Sequence, residues 1–486
     1  MDVVTEFKRK ISLFIKKKIE YPELKATSSC LAIYKQKDGK FMSRIRLPGG
    51  ELSIEKLKTI NAIAQECGAD FIHLTTRADI QLHGVNPLNL GDLLSKYQKN
   101  SLACVAGGGN CIRAATVSSH SGVHPSSSFD VVPYAQAMEK AFGKFEKTIS
   151  LPRKIKTGFS CCPDDCDNAR YQDLGFVAKL SGSKKCFDVF VGGALGKSPA
   201  VGVKVLESVP AEECLNVVYA LMNMFYDHGN RQDRNKARIK FIVDAKGEEE
   251  FKKLFISYYS SEDKVQSAVV PDKSDFASQF NNTVSPSLIT VYIPYGILSH
   301  DDLDALIKVF ETFKVRFIRL TRERNITCLL SNDIVYDFYT SLKELKKNYT
   351  GESFKGLITT CIGAKTCDIG LTDPTKFADI ASAALDKYFA EKPEYKRKLF
   401  KEILKSLKIS GCPNSCGYNK IARLGLSGVK SKNEQGESIE MCRFSTTNTE
   451  FTYSEALKNK PLAAEELSGL VGELVSNLLK KKGIQL

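Results

Sequence analysis

The chain has 486 residues, room for two to four domains, with 43% hydrophobic and 26% charged residues, ordinary proportions that exclude the disordered and fibrous classes. Its 70 Lys and Arg against 56 Asp and Glu leave a net charge of +14. No apolar run approaches the roughly 18 residues of a membrane span, and the basic N-terminus lacks a cleavage-site pattern, so it reads as a surface helix of a cytoplasmic protein with no membrane partner.

In chain order, residues 29–47 read as a strand pair around Lys37-Asp38-Gly39, a tight-hairpin turn. Ser53 then caps a helix over 54–67, where Ile54, Leu57, Ile60, Ile63 and Ala64 recur at helical spacing. Short strands follow over 70–75 and 80–85, giving β-β-α-β-β, and a larger α/β segment extends to about 260. Residues 261–286, rich in Ser, Asp, Asn and Lys, read as a linker. A strand over 288–293, a helix over 300–313 opened by Ser299, and strands over 315–320 and 326–330 then repeat most of the first pattern, ahead of a second α/β segment.

The repetition extends to residue identities. Ser160, Cys162, Pro163, Cys166, Leu174 and Gly175 recur 250 positions later as Ser410, Cys412, Pro413, Cys416, Leu424 and Gly425. Pro48-Gly49-Gly50-Glu51-Leu52-Ser53 matches Pro294-Tyr295-Gly296-Ile297-Leu298-Ser299 at an offset of 246. Two blocks in one order at nearly one offset indicate an internal duplication, with predicted divisions at 1–98, 99–260, 261–286, 287–348 and 349–486.

The 15 cysteines are many for a chain long enough to fold without disulfides, so clustered thiols point to metal ligands or reactive groups. Cys30, Cys67, Cys186, Cys214, Cys328 and Cys442 stand alone and read as small buried hydrophobes. Cys361 and Cys367 form C-x5-C, and Cys412 and Cys416 form C-x3-C. Four thiolates in two pairs suit an iron–sulfur cubane, whose spacings vary. Zinc remains an alternative, although C-x5-C is wider than its usual pairs.

These two pairs, with Thr76-Arg77-Ala78-Asp79-Ile80-Gln81-Leu82-His83-Gly84, resemble the sirohaem-dependent sulfite/nitrite reductases. Arg44-Ile45-Arg46-Leu47-Pro48, Leu151-Pro152-Arg153-Lys154-Ile155-Lys156 and Gly229-Asn230-Arg231 through Arg238 are similar to further segments of that family. The resemblance covers residues 40 to about 430. It implies an α+β fold in which two ferredoxin-like half-domains pair with two larger α/β domains. It implies a [4Fe–4S] cluster on Cys361, Cys367, Cys412 and Cys416, with Cys416 also bridging to the sirohaem iron. It implies that Arg44, Arg113, Lys154 and Lys156 grip a small oxyanion, the lysines also donating protons. Arg77, Gln81, His83, Arg231 and Lys236 match positions that line the sirohaem or hold its carboxylates. Lys156 stands where nitrite-reducing plant-type members carry Asn, so sulfite is expected ahead of nitrite.

Three further expectations concern the duplication and the partners. The N-terminal copy keeps Cys162 and Cys166 and adds Cys161, Cys104 and Cys111. Cys111 lies 250 positions before Cys361, which leaves open a second metal centre or a set of vestigial thiols. Gly192-Gly193 match a strand end that lets backbone approach the macrocycle, and Cys442 and Arg443 replace them position for position. The chain carries no flavin or nicotinamide segment and no nucleic-acid recognition motif. Its positive charge suits an acidic electron donor, ferredoxin or a reductase subunit, acting on a monomer or small oligomer.

Overall fold

The computed structural model describes residues 3–143, 150–261, 264–265, 270–279, 286–347, 349–352, 354–389, 407–432, 435–445, 462–463, 466–471 and 473. The fold is α+β and internally duplicated. In the first half-domain the strands are β1 (Ile33–Lys35), β2 (Phe41–Ile45), β3 (Glu51–Ser53), β4 (Phe71–Leu74) and β5 (Ile80–Val85). Ser53 caps the helix Ile54–Glu66 by accepting from the Lys56 amide, and Leu57, Ile60 and Ile63 on its inner face are buried. The first α/β unit carries β6 (Thr116–Val117), β7 (Thr157–Ser160), β8 (Leu174–Ser181), β9 (Lys184–Val191) and β10 (Val203–Pro210). The second half-domain supplies β11 (Ser287–Val291), β12 (Ile297–Leu298), β13 (Phe317–Leu320) and β14 (Ile326–Leu330). The last unit has β15 (Thr359–Thr360), β16 (Leu407–Ser410), β17 (Leu424–Lys432) and β18 (Ser438–Ser445).

The two half-domains exchange strands. The first sheet has the order β1-β2-β5-β4-β12 and the other β11-β14-β13-β3. β12 therefore closes the sheet of the first copy, and β3 closes that of the second. The sequence pattern passed over both strands, because segments of two and three residues paired to a distant copy carry no local alternation. Gly50 (φ +70°) and Gly296 (φ +66°) turn the chain into the exchanged strands. A Cβ on Gly50 would lie 2.8 Å from the Leu320 carbonyl oxygen, and one on Gly296 would lie 2.9 Å from that of Leu74. The equivalent helices Ile54–Glu66 and His300–Thr312 lie together, tied by Asn61 donating to Asp304 at 2.7 Å and by the Lys58–Glu311 ion pair. One hydrophobic core runs through both halves, from Leu57 and Ile72 to Leu306 and Ile318.

The α/β sheets are built alike. β6, β7 and β8 run parallel and β9 turns back, as β15, β16, β17 and β18 do. Their registers correct two of the sequence correspondences. Thr116 pairs with Gly158 and Thr359 with Lys408, so the second crossover is seven residues longer. The Ser118 amide donates to Phe159 O as Cys361 donates to Ile409 O. Ser118, not Cys111, is therefore the counterpart of Cys361. Likewise Ser181 pairs with Lys184 but Ser431 with Ile439, a hairpin five residues longer. The counterparts of Gly192 and Gly193 thus become Thr447 and Asn448, outside the described residues, and not Cys442 and Arg443. Gly193 is required by its own chain, because a Cβ there would lie 2.2 Å from the Arg170 carbonyl oxygen.

Candidate functional site

Five of the expected cations converge. Arg44 lies on β2 opposite Gln81 of β5, and its Nη1 donates to Gly107 O at 3.2 Å. Arg77 projects from the turn between β4 and β5, with Nη2 donating to Ala114 O at 2.7 Å and Nη1 to Gln172 Oε1 at 3.3 Å. Arg113 donates to Gly109 O at 2.8 Å. Lys154 and Lys156 flank Ile155, which is buried in the core of the α/β unit. Both lysine residues are half-buried. Burial first, then the repulsion of Lys156, Arg113, Arg238 and Arg153, holds Lys154 well below the ordinary lysine range. Burial and the positive charges of Arg77 and Arg238 bring Lys156 down to about 7, with Cys416 and Asp173 opposing. Burial also lowers Arg44 and Arg77, which feel Arg113 as a like charge.

A cluster of cations without enough anions is costly by itself and well suited to an anionic guest. Arg44 Nε, Arg77 Nε, Arg113 Nη1 and Gln172 Nε2 are buried donors without a hydrogen-bond partner among the described residues. A buried donor left unpaired costs about 1–3 kcal/mol. The same four groups fit the carboxylates of a tetrapyrrole and an oxyanion beside it.

The remaining expected cofactor residues divide. Gln81 Oε1 lies 2.9 Å from His73 Nδ1 and 3.4 Å from His83 Nε2, and its Nε2 donates to Met42 S at 3.3 Å. His83 Nδ1 lies 3.1 Å from Gln36 Oε1, and its ring stacks on Phe71 at 4.8 Å. Burial, followed by Arg44, pushes His83 down to about 3. It is a neutral ring that feels the charge of Arg44. Arg231 and Lys236 are exposed. Arg231 donates to Ser150 O at 2.9 Å and to Tyr226 O, over the Tyr226 ring, so neither residue joins the buried cations. Arg238 does. Its guanidinium forks onto fully buried Asp173 at 2.9 and 2.8 Å, and Asp173 Oδ2 accepts from the Lys156 amide at 2.9 Å. Sequence reasoning passed over Arg238 and Arg153, although both stand inside the basic segments it singled out.

The four cysteines Cys361, Cys367, Cys412 and Cys416 are free thiols on two facing loops. The Gly411 amide donates to Cys361 Sγ at 3.2 Å, and Thr372 and Leu371 donate to Gly411 O, which fixes one loop on the other. A Cβ on Gly411 would lie 2.4 Å from Thr372 O and 3.0 Å from Gly363 Cα, so glycine is required for this approach. Burial raises Cys361 to about 12, with the negative charge of Cys416 adding to it. Burial also raises Cys367 and Cys412. Thiols that resist ionising alone, gathered with a backbone donor, suit an iron–sulfur cubane, which supplies the compensating charge. Cys416 is exposed toward the cation cluster, felt by both Arg44 and Lys156. Its carbonyl accepts from Thr76 Oγ1 at 2.7 Å, which ties the cluster loop to the turn carrying Arg77.

Known proteins share sequence and fold with this chain. The family described as "Nitrite/Sulfite reductase ferredoxin-like half domain" matches residues 34–100. The family described as "Nitrite and sulphite reductase 4Fe-4S domain" matches residues 108–263. A ferredoxin–nitrite reductase of Synechococcus elongatus is 26% identical over 428 residues, 83% of this chain and 78% of that protein. A sulfite reductase [NADPH] hemoprotein beta-component of Leptospira biflexa is 25% identical over 481 residues, 89% of this chain and 83% of that protein. The solved structure of the Mycobacterium tuberculosis NirA protein shares the fold with a TM-score of 0.79 at 20% identity, covering 99% of this chain and 94% of that one. Together these matches support the family of sirohaem-dependent nitrite and sulfite reductases, oxidoreductases, and imply sirohaem and a [4Fe–4S] cluster as cofactors.

Proposed function

We propose that the protein reduces sulfite to sulfide, taking electrons from an external acidic donor. The observation that carries this reading is the set Arg44, Arg113, Lys154 and Lys156, linked by mutual repulsion, with Arg44 and Lys156 also feeling Cys416, more cationic than a monoanion such as nitrite requires. Cys361, Cys367, Cys412 and Cys416 would hold the cluster. The unpaired donors of Arg77 and Gln172, with Arg238 beyond them, would face sirohaem carboxylates. When bound, the sirohaem and its cluster supply a substrate-binding iron and electrons delivered singly.

The protein side of the reaction is then charge and proton supply. Arg44 and Arg113 hold the substrate oxygens with donors that cannot lose their protons. Lys156, brought to about 7, holds its proton weakly enough to release it to an oxygen leaving as water. It then takes another from solvent near neutral pH. Lys154 is a second donor, kept labile by burial and by Lys156, Arg113, Arg238 and Arg153. Asp173 accepts from the Lys156 amide and from Arg238, so it positions the segment without neutralising the ammonium itself.

The test is anaerobic turnover with a viologen dye on sulfite and on nitrite, with sulfide and ammonia quantified. A higher kcat/KM on sulfite supports the reading. A strong preference for nitrite would assign the protein to nitrite reduction, with Lys156 not selecting the substrate.

A further inference from the structure

The duplication places a second thiol-bearing site in the N-terminal copy, at the position related to the cluster loops by the internal repeat. The hydrogen bonds define the correspondence. His124 donates to His120 O as Cys367 donates to Gly363 O, and Ser128 donates to Cys161 O as Leu371 donates to Gly411 O. The four cluster cysteines thus correspond to Ser118, His124, Cys162 and Cys166. Two of the four thiols are gone, which removes a cubane from this copy. Gly363 and Gly411, which bring the cluster loops together, correspond to His120 and Cys161. Where the C-terminal copy has two bare backbones, the N-terminal copy has two metal-ligating side chains.

These side chains meet Cys166. His120 Nε2, Cys161 Sγ and Cys166 Sγ all lie within 4.8 Å of one another, with His120 Nε2 3.5 Å from Cys166 Sγ. A nitrogen at about 2.0 Å and a sulfur at about 2.3 Å from one tetrahedral zinc ion stand about 3.5 Å apart. We propose that His120, Cys161 and Cys166 bind a single zinc-class divalent cation, with water in the fourth position. Cys166 is exposed and His120 half-buried, whereas Cys161 is fully buried, so the ion enters from one open side. Binding releases the thiol protons to solvent, and two thiolates with a neutral imidazole balance the charge of the ion.

The site is held from outside. Ser118 Oγ lies 3.3 Å and Ser160 Oγ 3.5 Å from Cys166 Sγ, and the Cys161 amide donates to Ser118 Oγ at 3.2 Å, contacts that orient the sulfurs. Arg319 of the C-terminal copy donates to the carbonyls of Ser119 and Ser121, on either side of His120. Arg322 grips Asp167, next to Cys166. Cys104 and Cys111 take no part. Cys111 Sγ is engaged by Ala106 O and Gly108 O, and both cysteines face Cys30.

The test is metal analysis of the purified holoenzyme after incubation with zinc under reducing conditions and removal of excess, with X-ray absorption at the zinc edge. About one zinc per chain is expected, with two sulfur ligands near 2.3 Å. Both H120N and C166S should lose it while iron content and the sirohaem spectrum stay unchanged, and C162S should retain it. If C166S fails to fold, H120N carries the comparison. Protein that takes up no zinc, zinc retained in H120N, or a Cys161–Cys166 disulfide found by peptide mass spectrometry instead of a metal would each overturn the proposal.

Discussion

In the proposed reaction Lys156 carries the most distinctive chemistry of any one side chain. Its ammonium is pushed to about 7 by burial and by Arg77 and Arg238, against the pull of Cys416 and Asp173. A lysine with a lowered pKa carries its charge only below that value. Anion binding therefore weakens as pH rises through about 7, and the KM for sulfite should climb on that side. Lys156→Met should remove this part of the pH dependence. Sulfite's own ionisation is common to both enzymes and cancels in the comparison. The same substitution, or Lys154→Met, should lower kcat by roughly 10²-fold or more, the scale of a lost proton donor, with the cofactor spectrum intact. Near-full activity in either variant would remove that lysine from its proposed role. Lys154 and Lys156 were legible in the sequence because they share one short segment. Arg238 was not singled out, because its function depends on Asp173, 65 residues away in the chain and brought beside it by the fold.

Among the elements, the exchanged strands β3 and β12 hold the copies together. Gly50 and Gly296 occupy equivalent positions with left-handed backbones, each against a carbonyl oxygen of the other copy. Left-handed strain and overpacking each cost about 1–3 kcal/mol. Gly50→Ala and Gly296→Ala should therefore each destabilise the protein by about 2–4 kcal/mol in chemical denaturation. A loss in only one of the two would contradict the symmetry of the exchange. Arg319 is the corresponding polar tie. Fully buried, it pairs with Glu51 at 3.1 Å and Asp130 at 3.5 Å and lies over the Phe276 ring. Arg319→Met would leave two buried carboxylates uncompensated, at a cost of about 3–5 kcal/mol. The strand–helix–strand–strand frame of each half was readable from alternation and the Ser53 and Ser299 caps, which are local signals. The exchanged strands were not, because their partners lie more than 200 residues away. Nor was the match between Ser118 and Cys361, since a crossover seven residues longer in one copy shifts the offset between repeats. Only hydrogen-bond register restores it.

For the whole molecule, the duplication separates two tasks. The C-terminal copy would supply the cluster cysteines, and the N-terminal copy the cations Arg44, Arg77, Arg113, Lys154 and Lys156. The two meet where Thr76 donates to the Cys416 carbonyl. The net charge of +14 would attract the proposed acidic donor over distances set by the Debye length, about 10 Å at 0.1 M salt. Turnover driven by a ferredoxin-class donor should fall steeply from low to high ionic strength, while turnover driven by a small viologen should change little. A donor-driven rate that ignores salt would remove electrostatic steering. No helix among the described residues is long and apolar enough to cross a membrane. The most direct measurement is the ratio of kcat/KM for sulfite to that for nitrite with viologen as donor, in the wild-type protein and in Lys156→Asn. The cation-rich site predicts a ratio above one that falls in the variant. A wild-type ratio well below one, unchanged by the substitution, would contradict it.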